Sequence, residues 1–310
     1  MLVLNTPRLV LRWFSADDAG TIVELLNDPA WKRFIGERNV RTEDEARAWI
    51  AERLVAPCWR QGFGLWAMER HSDGAVIGMC GLVKRDSLPE IDLGYALLPR
   101  HRGQGYVQEA AAACLDYGAD VLGLGRILAI TRAENEASIQ TLHKLGMVLE
   151  RRATLAGDEH EAMVFAWQSP ARPRAEDARV ALDALVRRFY AAFTNADGRL
   201  PRVAALPFYF VPEARIVHVD GIQPSTFDLA QFITPRAALL QDGRLTAFDE
   251  SEDEHHTHVE GRIAQRRSHY RKSGILDGHP FTGHGTKLMQ FVDMPQGWRI
   301  SALAWQDATT

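Results

Sequence analysis

The stretch "PRHRGQGYVQEA", Pro99–Ala110, places two glycines between an apolar run and a segment of helical character. A strand followed by such a turn and a helix presents unpaired backbone N–H groups at the positive end of the helix dipole. Gly103 and Gly105 let these amides approach an anion closely, and Arg100 and Arg102 add charged donors beside them. The stretch therefore predicts an anion site, which suits a pyrophosphate better than a lone carboxylate.

The spacing of the glycines excludes two common phosphate-binding loops. The dinucleotide fingerprint G-x-G-x-x-G requires a glycine where Gln108 stands, and a P-loop requires a Gly-Lys-Ser/Thr sequence that does not follow. Arginine-x-x-Gly-x-Gly before a helix instead resembles the signature of the GNAT acyltransferase superfamily. In that superfamily the loop cradles the pyrophosphate of acetyl-CoA.

Three further segments resemble the RimJ/RimL-type branch of that superfamily. They are "NTPRLVLRWFSADDA" at the start, "EIDLGYALLP" before the loop and "ENEASIQTLHKLGM" after it. The matches follow the order expected for the branch and cover residues 1–168. The resemblance implies an α/β GNAT (acyl-CoA N-acyltransferase) domain over residues 1–168, with acetyl-CoA as co-substrate and no metal.

The resemblance also assigns residues to the cofactor. Leu98 is expected to offer main-chain bonds to the pantetheine arm, and the loop that ends at Tyr106 is expected to hold the pyrophosphate. Asn135 and Ser138 are expected to contact the cofactor farther along, although Asn135 also stands where a helix cap is expected. The predicted cofactor-binding residues are Leu98, Arg100, Arg102, Gly103, Gln104, Gly105, Tyr106, Asn135 and Ser138.

The reaction implied by the family is direct attack of a neutral amine on the thioester within a ternary complex. An α-amine with a pKa of about 8 is partly neutral at pH 7, whereas neutralising a lysine amine of pKa about 10.4 costs about 4.6 kcal/mol. Asp92 is the candidate base, because this branch often has a glutamate there, and Glu90 lies two residues away. The alternative for Asp92 is a solvated acid at the edge of a strand.

The sequence identifies no proton donor for the departing thiolate. In another branch of the superfamily, a tyrosine seven residues after the helix-leading asparagine is the general acid, but Leu142 occupies that position here. Tyr95 and Tyr106 match other positions, and His143 is more typical of a surface or packing residue. Protonation by water is the remaining route. The splay of two central strands that would admit the thioester is not visible in the sequence.

Local patterns predict the elements of this first part. A helix through Leu26 follows the half-buried strand "RLVLRWF", and a second helix begins at Thr42, where Glu45 completes a capping box. The remaining predictions are a hairpin at residues 72–74, a strand at "EIDLGYALL", a helix over 106–122, a strand at "RILAITRA" and a helix over 136–145.

The boundary between two domains is predicted at "SPARPRAEDAR", with a linker over residues 169–177 and a second domain over 178–310. A helix over 178–193 followed by long β-type segments is an α+β pattern, for which we expect a strongly curved antiparallel sheet. "GHPFTGHGTKLMQFVDMPQGWRISALAWQD" resembles the closing hairpin of a nuclear transport factor 2-like (SnoaL-like) domain, and "ALVRRFYAAF" resembles its first helix. The resemblance implies a cone with a pocket for catalysis, ligand binding or dimerisation.

Candidate functional residues of the second domain have no supporting motif. In "EDEHHTHVEG", His256 and His258 share a strand face with two glutamates and could share a metal, but a solvated edge strand is the favoured interpretation. The pocket candidates are His218, Asp220 and Tyr270. Trp298 and Trp305 are expected in the core.

Bulk composition is that of a globular protein and restricts the partners. The chain has 310 residues, of which 46% are hydrophobic and 25% charged, and a net charge of −4 that disfavours nucleic-acid binding. The N-terminal sequence does not resemble a signal peptide, and no run of about 18 apolar residues occurs, so a soluble cytoplasmic protein without membrane contact is expected. Cys58, Cys80 and Cys114 are expected as buried thiols.

The favoured interpretation is an N-acetyltransferase whose acceptor is a protein α-amine or a small-molecule amine such as an amino acid or aminoglycoside. The second domain would serve ligand binding or form a homodimer. One alternative is a non-catalytic CoA-binding sensor coupled to a ligand-binding cone. Another makes the second domain an isomerase or cyclase that uses an Asp/His pair, which two converging titratable groups in a pocket would favour.

Overall fold

The computed structural model of the chain comprises two compact units. One unit consists of Met1–Cys58 and Phe63–Pro173, and the other of Trp59–Gly62 and Arg174–Thr310. The structure describes residues 1–154, 160–169, 177–220, 223–294 and 297–308. Most of the predicted linker, residues 169–177, therefore lies outside the described residues. Within the described part of the chain, no helix is long and apolar enough to cross a membrane.

In the first unit, eight strands of the described residues form one sheet in the order β1-β2-β3-β4-β5-β6-β8-β7. They are β1 (Leu2–Asn5), β2 (Leu9–Arg12), β3 (Leu65–Arg70), β4 (Val76–Lys84), β5 (Ile91–Leu97), β6 (Arg126–Arg132), β7 (Val148–Thr154) and β8 (Glu161–Gln168). Within this sheet β5 and β6 run parallel. The predicted hairpin is confirmed, because the turn at residues 72–74 joins β3 and β4 in antiparallel register.

The helices of the first unit begin at local signals that the sequence shows. They are α1 (Ala19–Asn27), α2 (Pro29–Phe34), α3 (Glu43–Trp49), α5 (Tyr106–Asp120) and α6 (Glu136–Lys144), while α4 (Ala56–Gln61) has residues in both units. The predicted capping box is confirmed, since Thr42 Oγ1 accepts from the Glu45 amide at 3.3 Å and the Glu45 carboxylate accepts from the Thr42 amide at 3.0 Å. Helix α2 was not predicted; it starts at a proline and is capped by Asp28.

The second unit has a mixed sheet in the order β10-β9-β14-β13-β12-β11. Its elements are α7 (Ala178–Ala191), α8 (Leu206–Tyr209), β9 (Phe210–Asp220), β10 (Gln223–Phe227), α9 (Leu229–Gln241), β11 (Leu245–Glu260), β12 (Ile263–Leu276), β13 (His279–Met294) and β14 (Gly297–Asp307). The expectation of a purely antiparallel sheet is wrong, because β14 pairs with β9 in parallel. Strands β11 to β14 form an antiparallel meander, and its last strand inserts beside the first strand of the unit.

Helix α7 buries one face, as its sequence predicts. Leu182, Val186 and Phe189 recur at helical spacing and have no exposed surface. Ile216 on β9 and Ile300 on β14 are equally buried, and α7 contacts β14. Helix α9 was not predicted, because Pro235 interrupts the helical pattern in its middle.

Candidate functional site

A cleft opens in the first unit where β5 and β6 diverge. These strands share a single register pair, Asp92 with Leu128, whereas β5 pairs with β4 along its whole length. The Leu98 amide donates to the Ile77 carbonyl of β4 at 3.0 Å. Because peptide groups alternate in direction along a strand, the Tyr95 and Leu97 amides face the open edge instead. The splay that the sequence could not reveal is therefore present.

This geometry changes the role expected of Leu98. The Leu98 amide already donates to the Ile77 carbonyl, and the Leu98 carbonyl accepts from the His101 amide at 3.0 Å. The main-chain donors available to an extended ligand along the open edge are therefore those of Tyr95 and Leu97. The side chain of Leu98 is fully buried and packs in the core.

The glycine loop has the backbone conformation that an anion cradle requires. Gly103 and Gly105 have φ angles of 73° and 78°, in the left-handed region that favours glycine. A Cβ built on Gly103 would meet no atom within 4 Å, so the space in front of this residue is open. Gly105 is the N-cap of α5 and supplies no side-chain acceptor, which leaves the first-turn amides of Tyr106 and its successors without intrahelical partners.

Both loop arginines are held by carboxylates that the sequence analysis did not identify. Arg102 Nη2 lies 2.5 Å from Asp28 Oδ2, and its Nε donates to the Leu97 carbonyl at 3.1 Å. Arg100 forms an ion pair with Glu24 on α1. Arg102 is thus an anchor of the loop, and an anion that binds Arg100 must compete with Glu24.

A second anchor lies on the other side of the loop. Glu109 on α5 accepts from Thr6 Oγ1 at 2.6 Å and from Arg8 Nε at 2.6 Å. Burial opposes ionisation of Glu109, but these hydrogen bonds outweigh burial and hold its pKa below the ordinary value. Arg8 also donates to the Gln104 carbonyl at 3.0 Å, and its guanidinium lies 4.5 Å from the ring centroid of Tyr106. The buried Tyr106 ring is therefore a packing surface for Arg8.

Asn135 and Ser138 lie at the start of α6, across the cleft from β5. Asn135 Oδ1 accepts from the Ser138 amide at 3.2 Å, so the helix-cap interpretation of Asn135 is confirmed. Ser138 Oγ is 2.8 Å from Tyr95 Oη. Burial raises the pKa of Tyr95 to about 12, although the bond to Ser138 acts in the opposite direction. These two hydroxyls link β5 to α6 across the cleft. The spacing of the two residues in the sequence could not predict this contact.

Asp92 lies at the apex of the splay and is buried. Its two oxygens accept from Arg85 Nε at 3.0 and 3.1 Å. Burial raises the pKa of Asp92, and the Arg85 cation opposes this shift. The alternative of a solvated edge acid is wrong, because β4 and β6 flank the residue. Glu90 precedes β5 and instead pairs with Arg126 at 2.9 Å.

The positions considered for a general acid on α6 have packing roles. Leu142 is buried. The ring of His143 packs edge-on against Phe165, with ring centroids 5.4 Å apart. His143 is exposed apart from this contact, so the expectation of a surface or packing residue is confirmed.

A second open cleft, distinct from the gap between β5 and β6, has a volume of about 470 Å³ and borders the glycine loop at Pro99. Helix α1 and the start of α2 form one wall, and the lining residues are Val23, Glu24, Asn27, Asp28, Pro29, Arg41 and Pro99. Two of these are the carboxylates that hold the loop arginines. The wall of this second cleft is thus joined to the glycine loop by two ion pairs.

In the second unit, two of the three pocket candidates converge on one carboxylate. Tyr270 Oη donates to Asp307 Oδ1 at 2.7 Å, and His218 Nε2 lies 3.5 Å from Asp307 Oδ2. Asp220 is exposed at the end of β9 and takes no part. Trp305 is buried as expected, whereas Trp298 is partly exposed.

The histidine-rich segment "EDEHHTHVEG" lies on β11, at the edge of the second sheet. His256 and His258 are exposed. No group of three or more side chains suited to a metal occurs among the residues that the structure describes. The edge-strand interpretation is therefore the one the geometry supports.

Comparison with known proteins identifies the family of the first unit. Residues 8–148 match the acetyltransferase (GNAT) domain family. The uncharacterized protein YkkB of Bacillus subtilis (strain 168) is 33% identical over 153 residues, which are 46% of this chain and 84% of YkkB. The uncharacterized N-acetyltransferase YoaA of the same organism is 31% identical over 152 residues, which are 48% of this chain and 84% of YoaA.

Solved structures of acetyltransferases also resemble the chain. The ribosomal-protein-S5-alanine acetyltransferase from Vibrio fischeri is 19% identical with a TM-score of 0.47, and the match covers 55% of this chain and 98% of that one. YkkB and YoaA are each more than 30% identical to this chain and are matched over 84% of their length, which is enough to show the family. The chain therefore belongs to the GNAT acetyltransferase family, and the protein is an acetyltransferase.

Proposed function

We propose that the protein transfers acetyl from acetyl-CoA to an amine by direct attack within a ternary complex. The observation that supports this most is the continuity of the splayed edge of β5 with the glycine loop at the start of α5. An extended donor with a pyrophosphate at one end needs main-chain donors along a strand and a cluster of free amides beyond it. Tyr95 and Leu97 supply the first, and the loop from Gly103 to Tyr106 supplies the second.

The conformation of the loop supports its assignment to the pyrophosphate. The space before Gly103 is open, and both loop glycines have left-handed φ angles, a backbone conformation in which successive amides can converge on an anion. Arg100 supplies a charge that an anion can reach, since both Arg100 and its partner Glu24 are about half exposed. Arg102 and Arg8 hold the loop from its two sides.

The chemistry at the cleft needs little from the protein beyond positioning. A neutral amine beside the thioester carbonyl attacks once the two are held in contact, and open-edge amides of β5 can stabilise the developing oxyanion. We assign the departing thiolate to the end of the cleft near Tyr95 and Ser138. Because Asp92 is buried and paired with Arg85, it can accept a proton only through a water molecule at the apex of the splay. Such a base is weak, so it suits an acceptor amine that is already partly deprotonated.

The acceptor class that suits this arrangement is an α-amine, on a protein or on a small molecule. With a pKa of about 8, such an amine is roughly a tenth neutral at pH 7 and needs only weak base assistance. A lysine side chain would require a stronger and more accessible base than the buried Asp92.

For the second unit we propose a nuclear transport factor 2-like cone that binds a ligand or forms a dimer. Its first helix, its mixed sheet and the parallel pairing of β9 with β14 support a sheet curved around α7 and α9. The convergence of His218 and Tyr270 on Asp307 supports a ligand site rather than a purely structural core.

Thiol release tests the acetyl-transfer proposal. The protein is incubated with acetyl-CoA and with peptides that carry a free N-terminus, the same peptides blocked at the N-terminus but retaining lysine, polyamines and aminoglycosides. We expect turnover with free α-amines and little with blocked peptides. Turnover confined to lysine would contradict the acceptor class. Tight acetyl-CoA binding without turnover on any acceptor would favour the sensor alternative.

A further inference from the structure

The second unit contains a cluster of charged side chains around the partly exposed Asp307, with Lys287 and Glu250 at its buried end. Tyr270 and Lys272 both donate to Asp307 Oδ1. Lys287 is buried, donates to Glu250 at 2.6 Å and lies 3.4 Å from the ring centroid of Tyr270. Buried ion pairs seldom stabilise a fold more than apolar side chains of the same size would. A cluster of this kind therefore calls for a role beyond packing.

The backbone is adapted to this cluster at one position. Tyr270, Gly285 and Asp307 stand side by side on three neighbouring strands. A Cβ on Gly285 would lie 2.7 Å from Tyr270 Oη, so only glycine lets the tyrosine pass over the middle strand to reach Asp307. The contact between the outer two strands is thus built into the sequence.

Arg236 on α9 is the cation that the cluster leaves without a carboxylate. Its Nη1 donates to the Phe232 carbonyl at 2.8 Å, and its guanidinium lies 4.1 Å from the Phe232 ring and 5.4 Å from the Trp305 ring. Burial lowers the pKa of Arg236, and the carboxylates of Glu250 and Asp307 only partly offset this effect. Among the described residues, no ion pair to Arg236 is formed.

The charges of the cluster do not balance. Arg236, Lys272 and Lys287 are cations, while Glu250 and Asp307 are the carboxylates within their electrostatic range in the described part of the unit. Lys287 is matched by Glu250 and Lys272 by Asp307, so the positive charge of Arg236 remains. The nearby ion pairs of Arg266 form a separate network with Glu252 and Asp183. A partly buried, uncompensated guanidinium is costly unless an anion binds it.

Aromatic side chains extend from the Arg236 guanidinium along Trp305. The ring of His218 stacks on Trp305 with centroids 4.4 Å apart and an interplanar angle of 11°. Phe227 lies on the same indole at 6.3 Å. A planar guanidinium beside aromatic rings suits a carboxylate that is attached to a flat, apolar body.

We propose that the second unit binds a small organic acid, with the carboxylate on Arg236 and the apolar part against the partly exposed ring of Phe227 beside Trp305. This inference rests on the proposal that the second unit binds a ligand, and it is independent of acetyl transfer. It names the chemical class of that ligand. Lys272 and His218 border the same site, where they add further N–H donors.

Titration of the full-length protein with benzoate tests the inference, with the neutral isostere benzamide as the comparison. We expect benzoate to bind at least about tenfold more tightly than benzamide. Arg236→Met should lose benzoate binding by a similar factor, and Arg236→Lys should retain part of it. Arg271→Met is the matched control, because Arg271 is an exposed arginine on β12 that pairs with Asp253, and its benzoate affinity should equal that of the unmodified protein.

Three results would overturn the inference. They are no benzoate binding below about 10 mM, equal affinity for benzoate and benzamide, or equal losses in Arg236→Met and Arg271→Met. If Arg236→Met does not fold by circular dichroism, the benzoate preference of the unmodified protein and the Arg236→Lys affinity decide. Thiol release measured without benzoate reports separately on acetyl transfer, so failure of one proposal is distinguishable from failure of the other.

Discussion

Asp28 has two functions at one position, because it caps α2 and also anchors the glycine loop. Its Oδ2 accepts from the Trp31 amide at 3.1 Å and lies 2.5 Å from Arg102 Nη2. The two functions require different properties. The cap requires a side-chain oxygen acceptor, whereas the anchor requires a negative charge. A pair of substitutions can therefore separate them.

We expect Asp28→Asn to keep the cap and to lose the ion pair. Its free energy of unfolding in urea should stay within about 1 kcal/mol of the unmodified protein, since asparagine is an equally good N-cap. Its affinity for acetyl-CoA should fall several-fold as the loop loosens. Asp28→Ala should lose a further 1–2 kcal/mol or so of stability. Unchanged acetyl-CoA affinity in both variants would contradict the anchoring role.

The hydroxyl of Tyr95 faces Ser138 across the gap between β5 and β6, and burial raises the pKa of Tyr95 to about 12. This pKa has a consequence for the dependence of kcat/KM on pH. A group whose pKa is raised by burial stays neutral throughout the range in which the acceptor amine loses its proton. We therefore expect kcat/KM to rise with pH as the amine deprotonates, with no falling limb from Tyr95 below about pH 10. Tyr95→Phe should lower kcat and leave the shape of the profile unchanged. A falling limb that disappears in Tyr95→Phe would show that the phenol ionises in this range.

At the scale of elements, strand β2 is fixed to the start of α1 by one arginine. Arg12 donates to both oxygens of Asp18 at 2.8 and 2.9 Å and to Glu69 at 2.6 Å. Burial opposes ionisation of Asp18, but the bonds from Arg12 and Ser15 outweigh it and lower its pKa. The carboxylate form is therefore the one that the folded state favours.

Because the pKa of Asp18 is lower in the folded than in the unfolded chain, its contribution to stability is present above the unfolded value of about 3.9 and is lost as the pH falls through the folded value. We expect the free energy of unfolding to decrease below about pH 4, and Asp18→Asn to show a weaker decrease. Urea unfolding from pH 3 to 7 measures both slopes, in steps of about half a unit. Identical slopes would assign the acid sensitivity to other carboxylates.

Elements with local signals could be predicted from the sequence, whereas their long-range partners could not. The capping box at Thr42, the hairpin before β4 and the glycine turn before α5 depend on residues within a few positions of one another. The anchors of the loop depend on partners that are 74 and 101 positions apart, Asp28 with Arg102 and Arg8 with Glu109. Such pairs are set by tertiary packing, which no local pattern encodes.

The same distinction explains the errors in the second unit. The antiparallel expectation was wrong because the pairing of β9 with β14 joins segments about 90 residues apart, and strand direction there depends on topology. Helix α9 was missed because Pro235 locally contradicts a helix that the surrounding core stabilises. Of the candidate site residues, His218 and Tyr270 were predicted from their residue types. Their shared partner Asp307, and Arg236, which has no ion pair among the described residues, could be identified only from the packed structure.

At the scale of the whole molecule, all the cysteines are buried, as expected. Cys58, Cys80 and Cys114 are free thiols inside the first unit, and burial raises the pKa of Cys58 to about 12. A buried neutral thiol is a poor nucleophile. The native protein should therefore contribute little background to a thiol-release assay.

We expect the native protein to react with none of its thiols when a thiol reagent is added for a few minutes, and all three to react after denaturation. The absorbance of released thionitrobenzoate measures both numbers directly. Rapid reaction of a native thiol would contradict the burial of these residues. It would also require a correction to every turnover rate measured by thiol release.

The most direct test of the acetyl-CoA site is calorimetric titration with acetyl-CoA of Gly103→Ala, with Gly74→Ala as control. Both glycines have left-handed φ angles, 73° and 70°, and open space where a Cβ would stand, so the two substitutions should cost similar stability. Only the methyl group at residue 103 would lie in the loop that we assign to the pyrophosphate. We predict at least about tenfold weaker binding for Gly103→Ala and unchanged binding for Gly74→Ala. Equal affinity in the two variants and the unmodified protein would contradict the assignment of the loop.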